Sequence, residues 1–320
     1  MNQRSWVYWL NRLGPLLALL LVYGFFAAIA PPTFRTVGNL ELMARQTAVV
    51  GTAAVGMTFI IIAAGIDLSV GSMVALTTMI IAVTQRGGAN PGAAVLMGIS
   101  AAAFCGLANG LVITRLKVVP FIATLGALLF VRGIAKFLGD EQKVDAPRTW
   151  IRELLSALPR DRSWMLVPPG VWVLVVLAAA AAFFLYYTKL GRHIFAVGSN
   201  ENTARLCGVA VNRVKIYVYT LGGATAGLAG LMQFSRLNIG DPVTAFGMEL
   251  DVIAAVVIGG GSLSGGEGSI LGSLVGALIM TVIKSGCTQL GLPNYYQEMI
   301  TGAIIIVAVA IDRLRHRRAQ

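Results

Sequence analysis

The chain has 320 residues, of which 57% are hydrophobic and only 12% charged, and its formal net charge is +11. So apolar a composition excludes a soluble globular domain over most of the length and predicts an all-α, polytopic membrane protein forming one transmembrane domain across residues 1–320. The basic excess would raise nucleic acid as a partner in a soluble protein, but its distribution along the chain follows a topology pattern instead, and no nucleic acid is expected.

Ten apolar stretches are drawn in chain order, at Leu13–Ala30, Thr47–Gly65, Val70–Thr84, Gly92–Thr114, Val118–Leu138, Val167–Tyr187, Lys215–Gln233, Leu250–Gly260, Ser269–Ser285 and Met299–Ile311. The third, eighth and tenth are short of the roughly 20 residues that cross a bilayer. The first ends in Ala28-Ile29-Ala30, which imitates a signal-peptide cleavage site. Pro31 and Pro32 follow at once, and the many later spans favour an uncleaved first helix. Glycines inside the spans, such as Gly106, Gly110, Gly223 and Gly227, suit close helix approach in lipid.

Between the second and third stretches lies GIDLSVGS, residues 65–72, with Asp67 and Ser69 at the break. A short echo, GGSLSGGEGS, spans residues 260–269. Each could line a cavity as broken-helix structure, or could be a tight turn, with Asp67 capping the next helix. Leu263–Glu267 nearly spells the signature of an ABC ATPase, yet the chain has no phosphate-cradling GxxxxGK[ST] loop, so ATP hydrolysis is not expected here.

After the fourth stretch come Arg115 and Lys117, and after the sixth comes the segment Thr188–Lys215, with five basic residues against Glu201 alone, a net of +4. The tail Asp312–Arg318 nets +3, and Arg4 and Arg12 precede or begin the first span. The segment Leu138–Trp164 instead balances five basic residues with five acidic ones. This asymmetry predicts both termini and the 188–215 loop in the cytoplasm, with Leu138–Trp164 outside. Within the loop, Asn200 is an N-cap for a short helix with Glu201 in its first turn, Arg205 near its end and Gly208 as a left-handed stop. Glu201 and Arg205 share one face at i,i+4 spacing. A helix so short needs a partner surface.

Polar residues in or beside spans are pathway candidates by default. Asp67, Ser69, Asn109, Thr124 and Gln233 are chosen, with Phe121 and Phe246 as rings able to face a sugar. Glu249 and Asp251 either join them or cap the helix beginning there, while Arg132, Lys136 and Lys284 are expected to snorkel from span ends. Cys105, Cys207 and Cys287, with His193 and His316, are isolated, so neither a disulfide framework, a metal site nor a bound cofactor is expected. No paired carboxylates or nucleophile sets appear, so no catalytic residue is assigned.

The runs VGMTFIIIAAGIDLSVGSMVAL (55–76), TKLGRHIFAVGSNENTARLCGVAVNRVKIYVY (188–219), MELDVIAAVVIGGGSLSGGEGSILGSLVGALI (248–279) and PNYYQEMITGAIIIVAVAID (293–312) resemble the ribose-type permease subunits of bacterial ABC sugar importers. The resemblance implies a homodimer in the inner membrane that imports a pentose or related monosaccharide by alternating access. It implies two further partners, separate ATPase subunits and a periplasmic sugar-binding protein. It also makes the loop after the sixth span a coupling helix for the ATPase, matched here by Gly198, Asn200, Glu201, Ala204, Arg205, Leu206, Gly208 and Val211. Two other readings are kept: an ABC permease for branched-chain amino acids or another small solute, and a cation-coupled secondary transporter, which would bury an ionisable residue near mid-membrane.

Overall fold

A computed structural model describes residues 3–158 and 164–317. Arg160, Asp161, Arg162 and Arg318, used above in the charge balance, lie outside the described residues, as do the side chains of Arg4, Arg12, Arg313, Arg315 and Arg317.

The fold is all-α, a polytopic membrane architecture of twelve α-helices among the described residues. They are α1 (Gln3–Ile29), α2 (Val37–Ile62), α3 (Val70–Arg86), α4 (Pro91–Arg115), α5 (Pro120–Leu138), α6 (Pro169–Tyr187), α7 (Lys189–Ser199), α8 (Glu201–Leu206), α9 (Val211–Leu237), α10 (Met248–Ile258), α11 (Ile270–Gln289) and α12 (Asn294–Arg317). Among the described residues α2, α4, α5, α6 and α11 are long and apolar enough to cross a membrane, and Gly14–Ile29 and α3 are shorter apolar helices.

Burial separates centre from periphery. In the most apolar stretch of α2, 83% of residues are buried, against 22% in α5 and 28% in α6. A helix enclosed all round belongs at the centre; α2 contacts α6, α9, α10 and α11. Large apolar side chains on α4, α5 and α6, such as Leu96, Phe104, Phe130, Phe137 and Val176, face outward, as lipid-facing surface requires.

Helix α9 crosses α4 at backbone distance because both carry glycines at the contact. The Cα of Gly106 lies 3.0 Å from the position a Cβ on Gly223 would occupy, and a Cβ on Gly227 would lie 2.8 Å from the Cα of Ile99. Apolar burial gives helices little drive to associate inside lipid, so such close van der Waals packing carries the contact.

Helix α10 is only 11 residues long, about 16 Å of rise. It covers half of a hydrocarbon core, and irregular chain from 241 to 247 precedes it. Such chain is tolerated at depth only when its polar groups find partners. Arg132 on α5 supplies two of them: its Nη1 donates to Pro242 O at 3.0 Å and to Thr244 O at 2.7 Å. Gln233 Nε2 donates to Thr244 Oγ1 at 2.8 Å. The sequence expectation that Arg132 snorkels is therefore corrected, since its side chain is buried and spent on carbonyls that have no helix to satisfy them. Lys284, also expected to snorkel, is ion-paired with Asp251. Replacing Arg132 with leucine should cost about 3 kcal/mol or more by stranding two buried acceptors, and Arg132→Lys should recover part of it. Thermal unfolding of the purified variants in detergent measures this; an Arg132→Leu protein as stable as the parent would refute the role.

The neutral segment after α5 is tied down at the same end. Strand β1 (Val144–Asp145) pairs antiparallel with β2 (Ile239–Gly240), in the register Val144↔Gly240. Lys143 pairs with Asp241 at 3.1 Å, Ser235 Oγ accepts from Leu155 N at 2.9 Å, and Glu41 Oε1 accepts from Leu158 N at 3.0 Å.

Candidate functional site

Two regions gather the polar residues, at opposite ends of α2. At the C-terminal end, α6 passes through Thr188 into α7, whose start is capped by the Thr188 hydroxyl accepting from Gly191 N at 3.1 Å. The sequence reading placed a single short helix in this loop; α7 is a second one, amphipathic, with Ile194 and Val197 turned inward. The chain then kinks at Asn200, in extended conformation, and α8 begins. Asn200 Oδ1 accepts from Thr203 N at 2.9 Å, closing the cap that the sequence implies. Gly208 ends the unit at φ +81°, with its N–H donating to Arg205 O at 3.0 Å.

The eight residues matched to a coupling helix divide into two sets. Gly198, Ala204 and Val211 are buried and seat the unit on the body. Asn200, Arg205, Leu206 and Gly208 are exposed, and Leu206 is 89% exposed at the tip of α8. Glu201 lies between: it pairs with Arg205 at 3.0 Å and also with Lys215 on α9 at 2.6 Å. Lys215 escaped the i,i+4 reasoning because it is fourteen residues on in sequence. Exchanging the charges of Glu201 and Arg205 would set a new arginine against Lys215, so that exchange disturbs α8 even without a partner.

Behind α8 the contacts are backbone to backbone. Gly266 N, in the 260–269 loop, donates to Ile62 O at 2.9 Å. A Cβ on Gly198 would strike Ile62 O and lie 2.7 Å from Gly266 N. Gly265, at φ +85°, approaches Gly198 O and Ala64. One point therefore joins the end of α7, the end of α2 and the loop between α10 and α11. On the other side of that loop, Ser262 Oγ donates to Asp312 Oδ2 at 3.2 Å.

The α2–α3 break lies at this end too. Its positive φ falls on Ala64 (+58°) rather than on Gly65, and Gly65 instead leaves room for the Tyr219 hydroxyl. Asp67 Oδ1 accepts from Ser69 N at 2.8 Å and from the Ser69 hydroxyl, while Asn109 Nδ2 donates to Ser69 Oγ at 3.0 Å. Tyr219 Oη and Thr124 Oγ1 both donate to Ile66 O, at 3.2 and 3.4 Å. Asp67, Ser69, Asn109 and Thr124, chosen separately from the sequence, are thus one buried knot binding α3, α4, α5 and α9. Phe121, nearby on α5, is half-exposed.

At the N-terminal end of α2 lies a cavity of about 350 Å³ between α2, α9, α10, α11 and α12. Gln46, part of its wall, is about 24 Å of helical rise from Ile62. Gln233 and Phe246 line it, and the five other pathway candidates do not. Asp251 and Lys284 line it as an ion pair, while Glu249 is buried outside it against Gly71. The sequence reading missed Asn39, Gln46, Gln289 and Gln297, which also border the cavity. Their signal was weak, since each is an amide outside the ten apolar stretches drawn from the sequence.

A family described as "Branched-chain amino acid transport system / permease component" matches residues 39–309. The chain is similar to the Ribose import permease protein RbsC of Escherichia coli (strain K12), 39% identical over 95% of this chain and 94% of the relative. It is also similar to the protein of that name in Bacillus subtilis (strain 168), 38% identical over 95% and 93%, and to the L-arabinose ABC transporter permease protein AraH of Azospirillum brasilense, 32% identical over 97% and 89%. No solved structure matches it. With a match spanning α2 to α12 and near full-length relatives, the chain belongs to this family of transport permeases, as a ribose-type ABC permease.

Proposed function

We propose that the chain is the membrane subunit of an ATP-driven importer of a monosaccharide, working as a homodimer in the bacterial inner membrane with separate ATPase subunits and a periplasmic sugar-binding protein. The observation that carries this reading is the likeness to permeases named for ribose and L-arabinose along nearly the whole chain. Ten of the twelve helices, all except α7 and α8, serve as crossings, α10 together with the non-helical chain that precedes it, and both termini face the cytoplasm with α8. The segments 188–210 and 260–269 and the C-terminal end of α12 share one end of the fold, the end with the net +4 loop.

In this reading α8 docks in the ATPase. The exposed Leu206, Arg205 and Asn200 meet the partner, while Gly198, Ala204 and Val211 transmit its movement to α2 and the α10–α11 loop. Closing of the ATPase does work only through contacts that differ between its two states. The cavity at the far end then faces the periplasm, open to the binding protein.

An alkaline phosphatase reporter fused after Asp145 should be active, because that segment lies outside; activity confined to a cytoplasmic reporter at the same site would reverse the topology. Gly208→Pro should insert normally and abolish uptake, because proline cannot take φ +81° and has no N–H for Arg205 O. Retained uptake at normal membrane level would remove Gly208 from the coupling unit. The substrate reading is tested by ATP-dependent uptake of D-ribose, L-arabinose, D-allose and L-leucine into vesicles holding the reconstituted complex. Uptake of at least one sugar is expected, and uptake of L-leucine alone would overturn it.

A further inference from the structure

The loop 238–247 presents one side chain in an unusual way. Phe246 is 82% exposed although it sits on the cavity wall. It stands between two residues in the left-handed region, Ala245 at φ +56° and Gly247 at φ +78°. For alanine that conformation is disfavoured, and such strain persists only where the surroundings impose it. They do so here: Arg132 grips the carbonyls of Pro242 and Thr244, and Gln233 grips the Thr244 hydroxyl. The backbone that carries this ring, itself with little packing of its own, is thus fixed at the cavity wall.

The polar groups facing that ring remain partly unspent. Gln46 has no hydrogen-bond partner among the described residues that would occupy its amide, and the Gln233 oxygen is free because only its nitrogen is engaged. Asp251 and Lys284 neutralise one another while leaving lone pairs and N–H groups available. A flat apolar ring on one wall, with amides, the Arg236 guanidinium and the Asp251–Lys284 ion pair on the same cavity, suits a ligand with one C–H face and several hydroxyl groups whose oxygens can accept from the guanidinium. An apolar solute would strand the amides, and the cavity volume of about 350 Å³ lies within the range of small-molecule sites.

Resting on the importer reading, we propose that Phe246, Gln46, Gln233 and the Asp251–Lys284 pair form the acceptance site where a neutral monosaccharide first leaves the binding protein for the permease. The ring of Phe246 covers one face of the sugar, and the amides and ion pair take its hydroxyls. Arg132 is a positioning residue that fixes the loop.

The test uses the full complex reconstituted in vesicles with radiolabelled D-ribose, L-arabinose and D-allose, and reads sugar transported per ATP hydrolysed. Phe246→Ala and Gln46→Leu should each lower that ratio about tenfold for the sugar transported. Phe246→Tyr, which keeps the ring, should stay within about twofold of the parent, as should Leu96→Ala on the outward face of α4. Should Phe246→Ala or Gln46→Leu complexes assemble and keep the parental ratio, the acceptance site is overturned while the importer reading stands. If a variant fails to assemble, Phe246→Leu, which removes the ring but keeps apolar bulk, and Gln46→Asn carry the decision: substrate affinity lowered by neither overturns the site. A parental complex that transports none of the three sugars overturns the importer reading itself, and the site with it.

Discussion

Replacing Gly198 with valine is expected to abolish transport while leaving the protein inserted in the membrane. A Cβ there would overlap Ile62 O and crowd Gly266 N, the two ends of a 2.9 Å hydrogen bond. Something must move, and each neighbour is backbone with no rotamer to change. Overpacking of this kind costs about 1–3 kcal/mol, which a fold of twelve helices among the described residues can absorb without unfolding. If α8 couples to an ATPase as proposed, that coupling cannot absorb it, because α7 would be lifted from α2 and movement of α8 would no longer reach the spans. Uptake by cells making the variant at normal membrane level is the measurement, and uptake above about a tenth of parental would argue that Gly198 transmits nothing. Gly198→Ala should fall between, with the same overlap and a smaller side chain.

The second large effect is expected at Leu206. Its side chain is 89% exposed at the tip of α8, on a surface flanked by Arg205 and Cys207, which are exposed as well. A single exposed leucine is ordinary on a protein surface. Here it is the last residue of a six-residue helix that needs external support to persist. Leu206→Asp should leave the fold untouched, because Leu206 contributes nothing to the interior. Buried in a partner groove, the same change would desolvate a carboxylate and weaken association at least tenfold, about 1.4 kcal/mol or more. Co-purification of tagged permease with its ATPase reads this directly. Leu206 is a cleaner probe than the Glu201–Arg205 pair, whose reversal also disturbs Lys215. Undiminished co-purification of Leu206→Asp would return α8 to a tidy solvated turn.

Much of this architecture is legible in the sequence because lipid imposes simple rules. The apolar runs mark the membrane helices, and Asn200 and Gly208 mark the ends of α8 through local chemistry. What stayed hidden depends on contacts across the chain. Helix α2 starts at Val37, ten residues before the apolar run, because Asn39, Glu41, Arg45 and Gln46 find partners or the cavity. Arg132 looked like a snorkelling residue since nothing near it in sequence announces the irregular carbonyls 110 residues away. Asp67, Ser69 and Asn109 were each legible as costly polar residues in apolar surroundings, but their mutual bonding joins residues forty apart. Gln46 was missed for the same reason: a glutamine just outside an apolar run looks like surface until the opposite wall is known.

In the proposed importer, ATP hydrolysis by a partner reaches the transport path through α8. This coupling is tested most directly by assembling the permease with its ATPase subunits in lipid discs and measuring hydrolysis with and without sugar-loaded binding protein. Severalfold stimulation by the loaded binding protein is expected, lost in Leu206→Asp and in Gly198→Val. Stimulation that survives in both variants would contradict the coupling.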